Sequence, residues 1–222
     1  MSRIKKIRIG VSPQYFVVDA CVLVDAALAA AVDRDESTVQ ASRSLEWWDQ
    51  IYQYANAGIS RIYISDICIA ESFKAIAKKF FCEKLITADE KKIAEAKLRG
   101  WISMDHTLLK QAGRKVPVHD LSTNRDIIIS SDRFLEIAMR NKLQGLSVPD
   151  LIVAATAKYL QDFYDLPSAS LHIVTNDKKL ARLIRLCPEF SAPIEPAIHR
   201  VEDIIVLCAK ISARDSPPRR AD

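Results

Sequence analysis

Glycine is scarce, with five in 222 residues. No Gly-rich phosphate loop is present, which argues against a nucleotide-binding fold. No apolar run approaches the roughly 20 residues that a membrane span needs. The longest, Ala20 to Val32, is interrupted by Asp25. The basic opening Met1-Ser2-Arg3-Ile4-Lys5-Lys6 is followed by neither a hydrophobic signal core nor a small-residue cleavage site. A cytoplasmic protein without membrane contact is therefore expected. The cysteines, Cys21, Cys68, Cys82, Cys187 and Cys208, are odd in number and show no C-x-x-C spacing. With apolar neighbours they predict reduced, mostly buried thiols rather than a zinc site or disulfide frame. His106, His119, His172 and His199 show no ligand spacing.

What is present suits one cored domain: 49% hydrophobic and 27% charged residues, without internal repeats or low-complexity tracts. The net charge of +4 is compatible with a polyanion partner but does not single one out. Four segments read as short buried parallel strands, continuous in apolar character rather than alternating. They are Tyr15-Phe16-Val17-Val18, Arg61-Ile62-Tyr63-Ile64, His172-Ile173-Val174 and Ala197-Ile198-His199-Arg200-Val201. The stretch 116–129 is expected to add another. Helices are predicted over 37–57, ending at a Gly58 cap, and over 66–81 after Ser65. A capping box at Thr87-Ala88-Asp89-Glu90 opens a helix expected to stop at Gly100. Helices over 132–141 and 149–163 complete the set. Alternating strands and helices point to a wound parallel sheet.

In such a sheet, sites form where strands turn into helices at their carboxyl ends. Val17-Val18 runs into Asp19, and Ile173-Val174 into Thr175-Asn176-Asp177. Glu71 lies one turn into the 66–81 helix. A helical wheel puts Ile69, Phe73, Ile76 and Phe80 on one face, with Glu71, Lys74 and Lys78 opposite. Asp150 falls in the first turn of the 149–163 helix, in line with the small residues Ala154 and Ala157. Four carboxylates on one rim repel one another unless a cation lies among them. An oxygen-only set selects hard ions, Mg²⁺ or Mn²⁺, which suit phosphodiester hydrolysis.

Each acid also has a structural reading. Asp177 can cap its helix, Asp150 can favour the positive end of its own, and Glu71 can pair with Lys74 or Lys78. Asp19, set between two apolar runs, needs a partner for its charge. Trp47-Trp48 can stack bases, or can be half core and half surface in an amphipathic helix. Lys78-Lys79, Lys91-Lys92 and Lys178-Lys179 read as solvated pairs, with only the last beside the acid rim.

Taken in order, these segments resemble PIN domains. Tyr15-Phe16-Val17-Val18-Asp19 is similar to their opening strand and first acid, and Ile64-Ser65-Asp66-Ile67-Cys68-Ile69-Ala70-Glu71 to the segment bearing the second. Leu146-Ser147-Val148-Pro149-Asp150 with the following helix, and Ile173-Val174-Thr175-Asn176-Asp177-Lys178-Lys179-Leu180, resemble the third and fourth. The match runs from about Tyr15 to about Val201.

The resemblance implies a three-layer α/β/α fold with a central parallel sheet, helices on both faces and here an enlarged helical middle region. The nuclease domain would span 15–212, with an N-terminal extension over 1–14, a helical insertion over 85–124 and a flexible basic tail over 213–222. It implies a divalent-metal-dependent endoribonuclease, with Asp19, Glu71, Asp150 and Asp177 holding Mg²⁺ or Mn²⁺ and Thr175 supporting them by a hydrogen bond. It also implies an RNA substrate and, as in VapC-type toxins, a homodimer and an antitoxin partner. Many members carry Thr or Ser and then Asn after the first Asp. Ala20 and Cys21 stand there in this chain, which is expected to remove polar support from Asp19. An idle PIN module that binds RNA or a protein is the alternative function.

Overall fold

The computed structural model describes residues 14–32, 38–102 and 118–199. Four strands form one sheet: β1 (Gln14–Val18), β2 (Ser60–Ser65), β3 (Val118–Leu121) and β4 (Leu171–Val174). Their order is β3-β2-β1-β4 and every pairing is parallel. Among the described residues there are seven α-helices. They are α1 (Ala20–Ala29), α2 (Val39–Asn56), α3 (Asp66–Phe81), α4 (Ala88–Ile102), α5 (Arg125–Arg140), α6 (Val148–Phe163) and α7 (Lys178–Arg185). The stretch 85–124 thus supplies helix α4 and edge strand β3.

Alternation along the strands builds three layers. Phe16 points to one face and meets Trp47 of α2 edge-on, with centroids 5.9 Å apart. Tyr15 and Tyr63 point to the other and pack with Tyr164 at the end of α6. Helix α1 lies against α2, α3 and α4, while α6 packs on the sheet and against α5. This is the three-layer parallel α/β/α architecture that the sequence implied.

The sequence reading misses α1 because nearly every side of that helix is buried, from Ala20 and Val22 through Ala29. No polar stripe marks a 3.6-residue period, so the run looks featureless. Helix α2 ends as expected: Gly58 takes φ +75°. Its N–H bonds Ala55 O (3.0 Å) and the Ile59 N–H bonds Tyr54 O (2.9 Å), a Schellman cap.

Helix α4 keeps the Thr87–Glu90 capping box but runs through Gly100 to Ile102. Trp101 packs at a tilt against Trp48, ring centroids 4.9 Å apart, and that contact outweighs the helix-breaking tendency of one glycine. Both Trp47 and Trp48 are fully buried, so neither is available to stack bases. Helix α5 begins at Arg125, capped by Asn124, two turns before the expected start. Residues 197–199 form a turn, with Ile198 and His199 N–H both on Glu195 O. The expected strand is absent over these residues, its remaining positions lying outside the described residues. In its stead Ile194 makes a single parallel bridge to Val174. The residues 1–13 and 200–222, including the expected tail, lie outside the described residues, as does Cys208. Cys82 is exposed, against expectation, while Cys68 and Cys187 are buried. No described helix is long and apolar enough to cross a membrane.

The buried faces of α1 set the thickness of one layer. Leu23→Ala is expected to cost about 2–5 kcal/mol in urea unfolding, whereas Val39→Ala, at an exposed position of α2, should stay within about 0.5 kcal/mol.

Candidate metal centre

Strand register assembles the site. Val18 pairs with Val174, and the Asp19 N–H bonds Val174 O at 3.0 Å. The next residue on each strand, Asp19 and Thr175, therefore meet. The Thr175 hydroxyl donates to Asp19 Oδ2 (2.7 Å) and accepts from the Asp177 N–H (2.9 Å). One hydroxyl thus joins two acids 158 positions apart in sequence. The supporting role expected of Thr175 has a direct geometric basis.

Asp19 is 5% exposed and also accepts from the Ala20 N–H at 2.6 Å. Its second neighbour is Cys21, whose thiol donates to Asp19 Oδ2 (2.9 Å), accepts from the Asn176 N–H (3.2 Å) and lies 3.5 Å from Thr175 Oγ1. The expectation that Cys21 withdraws polar support is corrected here: the thiol supplies a donor. Burial, and then the charge of Asp19, raise the Cys21 thiol well above its usual range. It stays protonated and therefore able to donate.

The other three acids arrive on helices. Asp150 closes a capping box with Ser147, accepting from its N–H (2.6 Å) and hydroxyl (2.9 Å) through Oδ2. Asp177 caps α7, Oδ1 accepting from Lys179 N–H (2.6 Å) and Leu180 N–H (3.1 Å). The structural readings of both acids are thus real, and each uses one oxygen. Asp150 Oδ1 and Asp177 Oδ2 accept no hydrogen bond from the described residues. Glu71 makes no hydrogen bond or ion pair among them. Its place differs from the helical wheel. The buried stripe of α3 is Cys68, Ser72 and Ile76, because a serine that bonds Cys68 O can be buried. Glu71 flanks that stripe, half-buried.

The acids feel one another. Burial raises Asp19 despite bonds from Cys21 and Thr175, and Asp150 raises it further. Burial, then Asp19 and Asp150, raise Glu71 against the pull of Lys74. Burial raises Asp150 too, with Asp177 adding to it and Ser147 and Lys179 opposing. Asp66, on the same rim, behaves differently. Burial pushes it up, but bonds from Thr123 N and Oγ1 hold it below its usual value. The register joins Asp19 to Asp177 through Thr175, and the charges of Asp19, Asp150 and Asp177 act on neighbouring acids.

A metal fits this donor set in one respect and not in another. The free oxygens and shared repulsion call for a hard cation. No group of three or more His, Cys, Asp or Glu side chains among the described residues forms a set that could hold a metal ion as it stands. Mg²⁺ needs no such cage, since it keeps several waters and takes one or two carboxylates. The set therefore fits a mostly hydrated ion.

Asn176 was not singled out from the sequence. Its amide donates to Asp25 Oδ2 (3.1 Å) and Ser44 Oγ (2.9 Å), and its oxygen accepts from the Ala197 N–H (3.1 Å). Its place between Thr175 and Asp177, at a strand end, was the available signal. His172, read as incidental, is buried beside Gln14 Oε1 at 3.0 Å, and burial lowers its pKa to about 4.

No protein-family model matches the chain, and no curated protein matches it. Its fold is similar to the crystal structure of FitAcB from Neisseria gonorrhoeae, at 18% identity and TM-score 0.48, over 83% of this chain and 99% of that one. It is also similar to VapBC2 from Rickettsia felis, solved bound to a DNA fragment from their promoter, at 14% identity and TM-score 0.47, over 82% and 96%. PAE2754 from Pyrobaculum aerophilum is similar at 16% identity and TM-score 0.41, over 92% and 99%.

The raised carboxyl of Glu71 fixes the sign of a pH effect. A proton held more tightly in the folded state makes a contribution that is complete below the unfolded value, near 4.5, and lost as pH rises through the folded one. Glu71→Gln should therefore raise the metal-free melting temperature at pH 7 by about 1–2 °C. Scanning calorimetry at pH 4 should show that gain gone.

Proposed function

We propose that this chain is a divalent-metal-dependent endoribonuclease. One observation carries the reading: Asp150 Oδ1, Asp177 Oδ2 and the Glu71 carboxylate, from three separate elements, accept no hydrogen bond from the described residues, while Asp19 and Asp150 raise the proton affinity of Glu71. Asp150 Oδ1 and Asp177 Oδ2 would hold Mg²⁺ or Mn²⁺, with Asp19 and Glu71 completing the acidic rim. When bound, the ion neutralises charge on the scissile phosphate and acidifies water.

The chain's own residues supply the rest. Cys21, Thr175 and Ala20 N–H hold the Asp19 carboxylate in one orientation. Thr175 couples that orientation to Asp177 through its N–H. Glu71, free of hydrogen bonds, is suited to take a proton from the attacking water onto its carboxylate, since its proton affinity is already raised. Lys179, whose charge opposes the rise at Asp150, offers a cation to a phosphate beside the rim.

The alternative of an idle RNA- or protein-binding module draws on the absence of a ready three-ligand group among the described residues. A cleavage assay separates the two. End-labelled single-stranded and structured RNAs are incubated with Mn²⁺, Mg²⁺ or EDTA. The active reading expects metal-dependent products that vanish with Asp19→Asn and Asp150→Asn, both folded by circular dichroism. Equal cleavage by wild type and Asp150→Asn would sink it, and RNA retention without cleavage in any metal would favour the idle module. Cys21→Ala is expected to lower turnover roughly 10- to 100-fold, as loss of an orienting partner does, and Cys21→Ser to restore most of it.

A further inference from the structure

The acid rim opens on one side into a cleft of about 380 Å³ between α1 and α3. Cys21 and Glu71 stand at its inner end. Ala20, Val24 and Ala75 contribute small aliphatic surface, and Lys74, Lys78 and Lys79 stand along it. Lys74 and Lys78 are four residues apart on α3, about 6 Å along the helix axis, and so share one face of it.

Some surface cations among the described residues are neutralised by a neighbouring acid. Lys91 and Lys92 pair with Glu95 and Asp89, Lys158 with Asp162, and Arg185 with Glu195. Lys78 has Glu83 at 3.1 Å. Lys74 and Lys79 make no ion pair among the described residues, although Asp25 and Glu71 share their cleft. Two unpaired cations in a concave surface focus a field that attracts a polyanion.

We propose that Lys74 and Lys79, assisted by Lys78, track the phosphates of a single RNA strand leading into the acid rim. This rests on the ribonuclease reading for its substrate. The aliphatic lining bears on how the strand is held. Among the described residues no aromatic side chain lines the cleft, and Trp47 and Trp48 are buried in the core, so these residues offer base stacking no platform there. Recognition in the cleft is therefore by backbone charge. It is sequence-tolerant, and selectivity for a cut site must arise at the rim itself or from RNA shape. An acidic protein segment is the competing occupant. A flexible strand with a charge on every residue suits a row of lysines, two of them without an ion pair among the described residues, over a small-residue lining better than a peptide needing side-chain pockets.

The test uses the full chain carrying Asp150→Asn, in EDTA, with a fluorescein-labelled single-stranded RNA read by anisotropy across a salt series. Lys74→Gln/Lys79→Gln is compared with the charge-matched control Lys92→Gln/Lys97→Gln on α4. The proposal expects the first pair alone to weaken binding about tenfold at low salt. The slope of log affinity against log salt should fall by about 1.4, at roughly 0.7 for each single-strand phosphate no longer neutralised. Equal losses for both pairs would overturn it. So would competition by polyglutamate as strong as by unlabelled RNA of equal charge, which would assign the cleft to an acidic protein.

In the Asp150-containing enzyme Lys79→Gln alone, which leaves Lys74 beside Glu71 in place, should raise KM and leave kcat unchanged. Wild-type cleavage with no change of KM would overturn the track and leave the ribonuclease reading standing. Lysine-dependent RNA binding by a chain that never cleaves would do the reverse.

Discussion

The hydrogen bond from Thr175 to Asp19 is the constraint on which the site turns. It exists because β1 and β4 are paired with Val18 opposite Val174, so that the first residues past each strand meet. A shift of one residue would flip Thr175 to the other face of the sheet and bury a different set of side chains. The same register keeps Phe16 against Trp47 and Tyr15 against Tyr164. Packing on both faces therefore enforces the meeting of two polar residues at the rim. The core is what makes the acidic cluster reproducible.

Placing carboxylates this close has a cost that the surroundings only partly offset. Asp19 has three donors around it, yet burial still raises its proton affinity. Bonds from Ser147 leave Asp150 raised as well. Asp66 shows the contrast on the same rim, where two bonds from Thr123 suffice to lower it. The difference is depth and company. Asp66 is exposed and apart from the other acids, whereas Asp19, Glu71 and Asp150 are sheltered and act on one another. Such frustration is characteristic of positions shaped for a ligand rather than for stability.

The strands and most helices were legible because their signals are local. Short apolar runs mark β1, β2 and β4, the Thr87–Glu90 box marks α4, and Gly58 marks the end of α2. What escaped was decided by tertiary contact. Helix α1 has no polar face because three helices pack around it, so periodicity had nothing to detect. The path of α4 beyond Gly100 depends on Trp101 finding Trp48, a contact that no window of sequence contains. The four acids could be named from strand ends and spacing. The face of α3 that carries Glu71 could not, because Ser72 is buried by a bond to its own helix backbone that hydropathy counts as polar. Cys21 was misjudged for a related reason. A thiol reads as apolar, and its use as a donor depends on a carboxylate held 2.9 Å away.

Asn176 joins pieces made at very different times during synthesis. Its amide contacts Asp25 and Ser44, made early, and its oxygen holds the Ala197 N–H, made much later. Thr175 and Asp177, which complete the acid rim, flank it. On a ribosome the N-terminal half therefore emerges with Asp19 lacking its main partner, and no arrangement of that half alone can assemble the four acids. Contacts spanning some 150 residues close late and slowly. A nascent chain of this protein would lack the complete set of four acids until the segment around Asn176 and Ala197 has been made.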